Sequence, residues 1–400
     1  MTVINVAPFK PYTLKAKLSW YNKNPVNIKI YNYILTQYTP SVFANIYLVI
    51  NESDFIDFKQ IDLFAIEDRT LEIWFEPELY SNTLKKSFNS GPFKYCVIQY
   101  TYSNLPPDFV DVANPKNESA RYIKLMCVDR AFYKMTLNQR SSSYGKSTTA
   151  DVIRNIIQRY GAKAKKIVQS NYSFRWLQPQ LTDYQMIRSI LPYSQAVNSD
   201  LLYTFFMYNN EAYFAPISTG KINPIKIILD DDRTITQYQT TDKKLLIEKY
   251  GDIDKMMVYD YGYNGFEMTK PMKMNTETYT NNMPPFKQHA GNATKYIQMA
   301  IDDKTLQKIY VSNLRHRIYT FSRIMSLSLL PIPDITPIDC IEVIKEFKGS
   351  VKDLDGIFYV LSVSYTYGMT NNSPIQPIMS LTLSSELDAK SMQAPEGKAV

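Results

Sequence analysis

Hydrophobic and polar positions alternate along much of the chain, which is the pattern of half-buried β-strands. Residues 15–137 consist mainly of short runs of this kind, rich in aromatic and β-branched residues. In the run that ends with "YTYS" (100–103), alternation separates an apolar face from a polar face: Cys96, Ile98, Tyr100 and Tyr102 against Gln99, Thr101 and Ser103. We therefore predict strands with one face in a core and the other polar.

A near copy of this run occurs late in the chain. "YTYS" closes the strand-like run 95–103, and "YTYG" closes the run 357–368, 265 residues further on. A loop containing proline and a second strand-like run follow in both cases, at 121–128 and at 377–384. The sequence thus predicts two similar hairpins, one in each half of the chain.

The periodicity changes to a helical one in the middle of the chain. Thr148 and Asp151 have the spacing of a capping box, and apolar residues then recur at helical spacing until Gly161. Thr182 and Gln185 have the same relation at the start of a second helix. A hairpin with its turn at Asn209-Asn210 follows. A further helix is predicted from an apolar stripe that comprises Leu306, Ile309, Tyr310 and Leu314.

Hydroxyl side chains occupy one face of three predicted strands near the end of the chain. These residues are Thr320, Ser322, Ser326 and Ser328; Ser362, Ser364 and Thr366; and Ser380, Thr382 and Ser384. Each face could simply be exposed to solvent. The chain has 45 Lys and Arg and 38 Asp and Glu, however, and ordinary exposed strands would carry some of them on these faces. Neutral hydroxyls suit a channel wall, because a lysine that faces a phosphate adds binding free energy and slows passage.

Composition agrees with a β-rich protein that has several domains. The chain has 400 residues, of which 45% are apolar, and it contains 32 Tyr and 19 Phe against 12 Gly. Cys96, Cys127 and Cys340 are odd in number and lie in strand-like runs, so we predict reduced core residues. We see no signal peptide and no run long enough to span a membrane, so no membrane partner is expected.

Motifs for catalysis or cofactors are missing. "YGKST" (144–148) ends like a phosphate-binding loop, but Arg140 stands where that loop requires a glycine. His289 and His316 lack metal-ligand spacing, and the acidic runs 230–232 and 353–356 lack the oxygen-ligand pattern of calcium loops. We therefore expect no enzyme, no cofactor and no metal.

Positive charge is concentrated between Lys146 and Arg175. This stretch has seven Lys or Arg residues and a single acidic residue, Asp151, while the whole chain has a net charge of +7. A solvated or subunit-facing surface and a track for nucleic acid are both compatible with it.

The order of these elements resembles the baseplate hub protein of contractile-tailed bacteriophages. That family is related to the N-terminal part of the valine-glycine-repeat spike protein of type VI secretion. The resemblance rests on "STTADVIRNIIQRYG" (147–161), "YSFRWLQPQLTDYQMIRSIL" (172–191) and the closing "FYVLSVSYTYG" (358–368), and it covers almost the whole chain. One departure lies in "DITPIDCIEVI" (334–344), where the family often has Pro-Gly and this chain has Pro-Ile.

The resemblance implies a mainly β fold with α+β parts. It would contain two duplicated, tube-forming β-barrel domains, a helix-containing middle domain and an irregular insertion. The expected boundaries are 1–137 for the first barrel, 138–229 for the middle domain, 230–264 with 299–386 for the second barrel, 265–298 for the insertion and 387–400 for a C-terminal tail.

The resemblance also implies a function and partners. Three chains would form a pseudo-six-fold ring that joins a hexameric tail tube, or its initiator, to a trimeric central spike. Baseplate wedge proteins would bind outside, and DNA or a tape-measure protein would pass through without specific binding. The expected location is the virion tail baseplate, after assembly in the host cytoplasm. Two alternatives remain: the hub of a type VI secretion or tailocin-like device, and a tail-tip cell-wall hydrolase.

Overall fold

The structure is a computed structural model. It describes residues 13–19, 26–38, 41–43, 45–51, 70–76, 93–103, 122–196, 203–208, 210–217, 224–229, 233–240, 252–260, 294–299, 303, 305–306, 309–310, 313, 323–329, 335–346, 354–370, 373–374 and 378–385.

Most of the described residues lie in strands, so the predicted β-rich fold is confirmed. The first seven strands are β1 (Thr13–Ser19), β2 (Val26–Tyr38), β3 (Ser41–Phe43), β4 (Asn45–Asn51), β5 (Thr70–Glu76), β6 (Phe93–Ser103) and β7 (Tyr122–Asp129). The middle elements are α1 (Arg130–Leu137), β8 (Gln139–Thr148), α2 (Thr149–Gln158), β9 (Lys163–Ile167), β10 (Ser173–Thr182), α3 (Asp183–Ile190), a 3-10 turn (Leu191–Tyr193), β11 (Tyr203–Tyr208) and β12 (Glu211–Pro216).

Nine strands follow among the described residues of the second half of the chain. They are β13 (Ile225–Leu229), β14 (Ile235–Thr240), β15 (Asp252–Asp260), β16 (Thr294–Met299), β17 (Arg323–Leu329), β18 (Cys340–Lys345), β19 (Gly356–Thr370), β20 (Ser373–Pro374) and β21 (Ile378–Ser385).

The strands of the first half close on themselves. Consecutive pairs in the series β1, β5, β6, β7, β4 and β2 are all antiparallel, and β2 pairs again with β1 through Lys15–Lys29 to Leu18–Val26. A ring of hydrogen-bonded strands leaves fewer exposed edges than an open sheet does.

The second half repeats part of this arrangement. Its strands run in the order β18, β19, β21, β17 and β14, and each neighbouring pair is antiparallel. The first half has β5, β6, β7, β4 and β2 in the corresponding order, and the chain visits both sets in the same sequence. β13 extends the second set by pairing with β18, but in parallel, and no strand in the described ranges links β13 back to β14.

The predicted hairpin pair is present and has the same irregularity in both copies. β6 pairs with β7, and β19 pairs with β21. One extra residue interrupts the first strand of each hairpin: Ile98 between Val97 and Gln99, and Leu361 between Val360 and Ser362. These bulges correct the strict alternation predicted for Cys96 to Tyr102, because an inserted residue reverses the faces beyond it.

One hydrogen-bonded junction joins the two sets of strands. β2 and β19 pair antiparallel from Tyr38–Ser362 to Asn32–Gly368. The sheet therefore continues from the first half of the chain into the second without an interruption.

The middle of the chain has the predicted helices and caps. α2 begins with a complete capping box between Thr148 and Asp151, and α3 begins with one between Thr182 and Gln185. Gly161, which follows α2, has φ of 64°, a left-handed conformation that favours glycine. Apolar residues of these helices form a core with the β11–β12 hairpin, and fully buried members include Ile153, Ile156, Phe205 and Phe214.

Several contacts connect residues from different predicted domains. β3 pairs in parallel with β11 of the middle region, and β13 pairs with β18 of the second half. Leu306 and Ile309, which lie in the predicted late helix, pack into the core of the middle region. Residues 294–298 were expected to be irregular, but they form most of β16, which pairs in parallel with β15. The remainder of the predicted insertion and the tail 387–400 lie outside the described residues.

Candidate functional site

The hydroxyl residues predicted from the sequence lie side by side on neighbouring strands. Two rows cross β19, β21 and β17: Ser362, Thr382 and Ser326 form one, and Ser364, Ser380 and Ser328 form the next. Thr366 continues β19 beyond them, opposite Ile378. We call the seven hydroxyl residues of these strands the hydroxyl face.

The opposite face of the same strands forms a core. Met325, Leu327, Val363 and Leu383 are fully buried, whereas the members of the hydroxyl face are half-buried or exposed. Burying a side chain of this size contributes roughly 1.5–3 kcal/mol. A shift of one residue would exchange the two faces, so this burial fixes the register that aligns the hydroxyls.

Three predicted members are not part of this face. Ser384 is fully buried, and its hydroxyl has no hydrogen-bond partner among the described residues. It lies on the same side of β21 as Thr382 and Ser380, because the bulge at Leu361 belongs to β19 and leaves the alternation of β21 unchanged. Its burial is therefore a property of this end of the strand, where its partner Tyr359 is buried as well. Thr320 and Ser322 lie outside the described residues.

Neutral polar residues extend the hydroxyl face along the sheet. Gln237 of β14 pairs with Ser326, and it is exposed, as is Gln239. At the equivalent place in the first half, Gln99 and Thr101 are exposed on β6. Sequence reasoning missed the two glutamines, although alternate residues of "ITQYQT" in β14 carry the signal.

A buried charge cluster organises the middle region. The carboxylate of Asp183, which is fully buried, forms ion pairs with Arg159 at 3.1 Å and Arg140 at 3.2 Å. Gln178 donates to it at 2.9 Å, and the hydroxyl of Tyr160 also donates to it. The cluster thus connects α3 to β8, to β10 and to the C-terminal end of α2. Its role is therefore to stabilise the packing of the middle region.

A second buried carboxylate, Asp129, ties α1 to the β11–β12 turn. It accepts hydrogen bonds from the backbone N–H groups of Ala131, Phe132 and Asn210 at 2.9, 3.2 and 2.7 Å. Burial raises the pKa of Asp129, and the three backbone donors oppose that rise only in part.

The basic stretch is only partly available as a surface. Arg159 serves the Asp183 cluster, and Arg154 pairs with Asp151 at 2.9 Å. Lys163 and Lys165 are exposed on β9, which pairs only with β12 among the described strands. Lysines on an edge strand discourage pairing with the sheets of other molecules. The charges of Lys163 and Lys165 therefore have a structural explanation.

Groups that could support chemistry do not assemble in the described part of the chain. "YGKST" belongs to β8 and to the start of α2, where it caps the helix. No three His, Cys, Asp or Glu residues come together there as a metal site would require. The three cysteines are buried thiols, as predicted, and burial raises the pKa of Cys96 to about 11. None of the described helices has both the length and the apolar character of a membrane span.

Comparison with known proteins identifies the fold. No family model and no curated protein matches the chain. A tail protein from Neisseria meningitidis has a similar structure, with a TM-score of 0.57 and 11% identity over 94% of this chain and 97% of that one. The 43 kDa tail protein of prophage MuSo2 from Shewanella oneidensis gives 0.55 and 10%, over 93% and 98%.

A third similar structure comes from a secretion system. The E. coli c3393 protein is a component of the type VI secretion system with structural similarity to the T4 tail proteins gp27 and gp5. It matches with a TM-score of 0.51 and 9% identity, over 93% of this chain and 77% of that one. The predicted resemblance is therefore confirmed at the level of fold: this chain has the fold that phage tail proteins share with a component of the type VI secretion system.

Proposed function

We propose that this protein is the structural hub of a contractile-tail baseplate. In this proposal three copies form a ring that joins a hexameric tail tube, or its initiator, to a trimeric central spike. The role is mechanical and not catalytic. The match to two phage tail proteins over nearly their whole lengths supports it.

The observation that carries the proposal is the repeated strand order. β5, β6, β7, β4 and β2 have counterparts in β18, β19, β21, β17 and β14, with the same antiparallel pairings and a bulge in both hairpins. A chain with two similar units can occupy two neighbouring positions of a six-fold ring, and three chains complete it. The two units are proposed to be the duplicated barrels.

The hydroxyl face supplies a wall for the bore. Its side chains are neutral, and the exposed Gln237 and Gln239 beside it are neutral as well. A wall without fixed positive charge lets DNA or a tape-measure protein pass without binding, because lysine contacts to phosphate strengthen affinity. Ser384 is left out of this wall, because it is buried.

The remaining partners follow from the same arrangement. Baseplate wedge proteins would contact the outside of the ring, where the exposed Lys146 and Lys163 offer positive charge to acidic partners. The tail 387–400 would dock on the spike or on a neighbouring copy. The protein would be assembled in the host cytoplasm and located in the virion tail baseplate.

Light scattering after size-exclusion chromatography tests the proposal. The protein alone should have three times the mass of one chain, or, if it trimerises only on its spike protein, the complex should have the mass of three chains plus that of the spike trimer. A variant that lacks 387–400 should keep its fold but bind the spike more weakly. A chain that stays monomeric with its spike and tube partners would contradict the proposal. A peptidoglycan turbidity assay should show no lysis, and lysis would favour a hydrolase instead.

A second candidate is the hub of a type VI secretion device, which the similarity to the c3393 protein favours. Both candidates need the same trimeric ring. Co-purification distinguishes them, because a phage hub would be recovered with a tail tube in virions and a secretion hub with a bacterial injection tube.

A further inference from the structure

β14 ends the main sheet with an edge that no other described strand covers. It pairs with β17 on one side, and the sheet order stops there. Gln237, Gln239 and Thr240 are exposed on this strand. An uncovered edge of this kind is a template for pairing with another strand.

β6 has a partly covered edge in the first half of the chain. β7 pairs along one side of it, from Tyr95 to Ser103. On the other side β5 pairs only with Phe93, Lys94 and Tyr95. Beyond Tyr95, that side of β6 has no strand partner in the described parts of the chain.

In the second half, the equivalent edge of β19 is paired. Part of that pairing comes from β2, a strand of the first half. β18 covers β19 from Gly356 to Tyr359, as β5 covers the start of β6. β2 then pairs with β19 from Ser362 to Gly368. In the repeated strand order β2 is the counterpart of β14, and β19 is the counterpart of β6.

We propose that β14 of one copy pairs antiparallel with β6 of the next copy, as β2 pairs with β19 within a chain. This inference rests on the proposed trimer. Each copy would then give one edge strand and receive one, so that three copies close a ring of sheets.

The repeat also fixes the register of this contact. Thr101 comes three residues after the bulge at Ile98, and Ser364 comes three residues after the bulge at Leu361. Thr101 pairs with Lys124 of β7 and Ser364 pairs with Ser380 of β21, so Thr101 and Ser364 are equivalent in the repeat. The same comparison across β4 and β17 shows that Gln239 of β14 is equivalent to Thr36 of β2. Since Thr36 pairs with Ser364, Gln239 of one copy should lie opposite Thr101 of the next.

The chemistry of the two edges agrees with this register. Thr101 and Gln239 are both exposed in the single chain, and neither is charged. Pairing would bring Gln237 opposite Ser103 in the same step. The contact itself would therefore join neutral polar residues, and the first charged residue of the row would be Lys124, which pairs with Thr101 on the far side of β6.

Engineered disulfides test the register. Directly opposite residues of antiparallel strands have Cα atoms about 4.5–5.5 Å apart, which lies within the range of about 4.4–6.8 Å that a disulfide requires. Thr101→Cys with Gln239→Cys should give covalently linked trimers after mild oxidation of the full-length protein with its spike. The matched control is Gln99→Cys with Gln237→Cys, which has exposed positions on the same strands but lies about 13 Å out of register. This control and each single variant should remain monomers on non-reducing gels.

The outcomes separate the inference from the proposed function. Trimers by light scattering without links in the first variant, or with equal links in the control, would overturn the strand pairing and leave the hub intact. A protein that never trimerises would overturn both. A second measurement uses the wild type: within 97–103 and 235–240, the alternate backbone amides that point away from β7 and β17 should exchange on the order of tenfold more slowly in the trimer than in the monomer. Unchanged exchange in both segments would also overturn the pairing.

Discussion

The buried carboxylate of Asp183 allows a sharp test of how the middle region is held together. Asp183→Asn keeps the size of the side chain and removes its charge. Two guanidinium groups, those of Arg140 and Arg159, then lose their carboxylate partner, while Gln178 keeps an oxygen to which it can donate. The substitution therefore isolates the charge from the shape.

The structure sets the size of the expected loss. Removing one partner of a buried ion pair costs about 3–5 kcal/mol of unfolding free energy. The side chains of Arg140 and Arg159 are 36% and 28% exposed, so water partly stabilises them and the lower end applies. Asp183 also lies in the first turn of α3, where a negative charge contributes about 0.3–1 kcal/mol. We expect a loss of about 3 kcal/mol.

Urea unfolding followed by Trp176 fluorescence measures this loss. Trp176 is buried in the middle region and donates to the carbonyl of Ser147, so it reports on that region once Trp20 and Trp74 are replaced by Phe. With a slope of about 1.5 kcal/mol per M, the midpoint should fall by about 2 M. Lys165→Gln is the control: it removes an ion pair to Glu211 whose lysine is 57% exposed, which is worth about 0–1 kcal/mol. Equal midpoints for Asp183→Asn and this control would refute the reasoning.

Three further predictions use other features. Gly161→Ala should cost about 1–2 kcal/mol in the same urea assay, because φ is 64° there, whereas Gly145→Ala meets no neighbour within 4 Å and should be nearly neutral. Since burial raises the pKa of Asp129, the native state retains its proton longer as pH rises, so stability should fall from about pH 4 upward; Asp129→Asn should flatten this dependence in urea titrations between pH 4 and 7. Thr382→Lys should permit assembly and slow DNA delivery in an ejection assay, and an equal delay from Gln158→Lys, on the exposed side of α2, would argue against a bore-lining role.

Local features of this fold were predictable from the sequence, because neighbouring residues determine them. The capping boxes at Thr148 and Thr182 satisfy backbone donors within three residues, so their spacing alone reveals them. The hydroxyl rows were predictable for a similar reason, since alternation along a strand decides which side chains share a face.

The partners of Asp183 were not predictable in this way. Arg140, Arg159 and Gln178 come from different elements, and only the folded chain brings them to one carboxylate. Ser384 shows a related limit, because alternation places it on the side of Thr382 but does not reveal that this end of β21 is buried. The β2–β19 junction joins segments more than 300 residues apart in the sequence, and no local pattern indicates which edges will meet.

The most direct test of the central claim is an electron cryomicroscopy map of the protein bound to its spike. The account predicts a ring of three chains in which six similar strand units lie about 60° apart around one axis. The hydroxyl face, with Ser326, Ser364 and Thr382, should line the bore. A ring with any other number of chains, or one in which this face points away from the axis, would contradict the account.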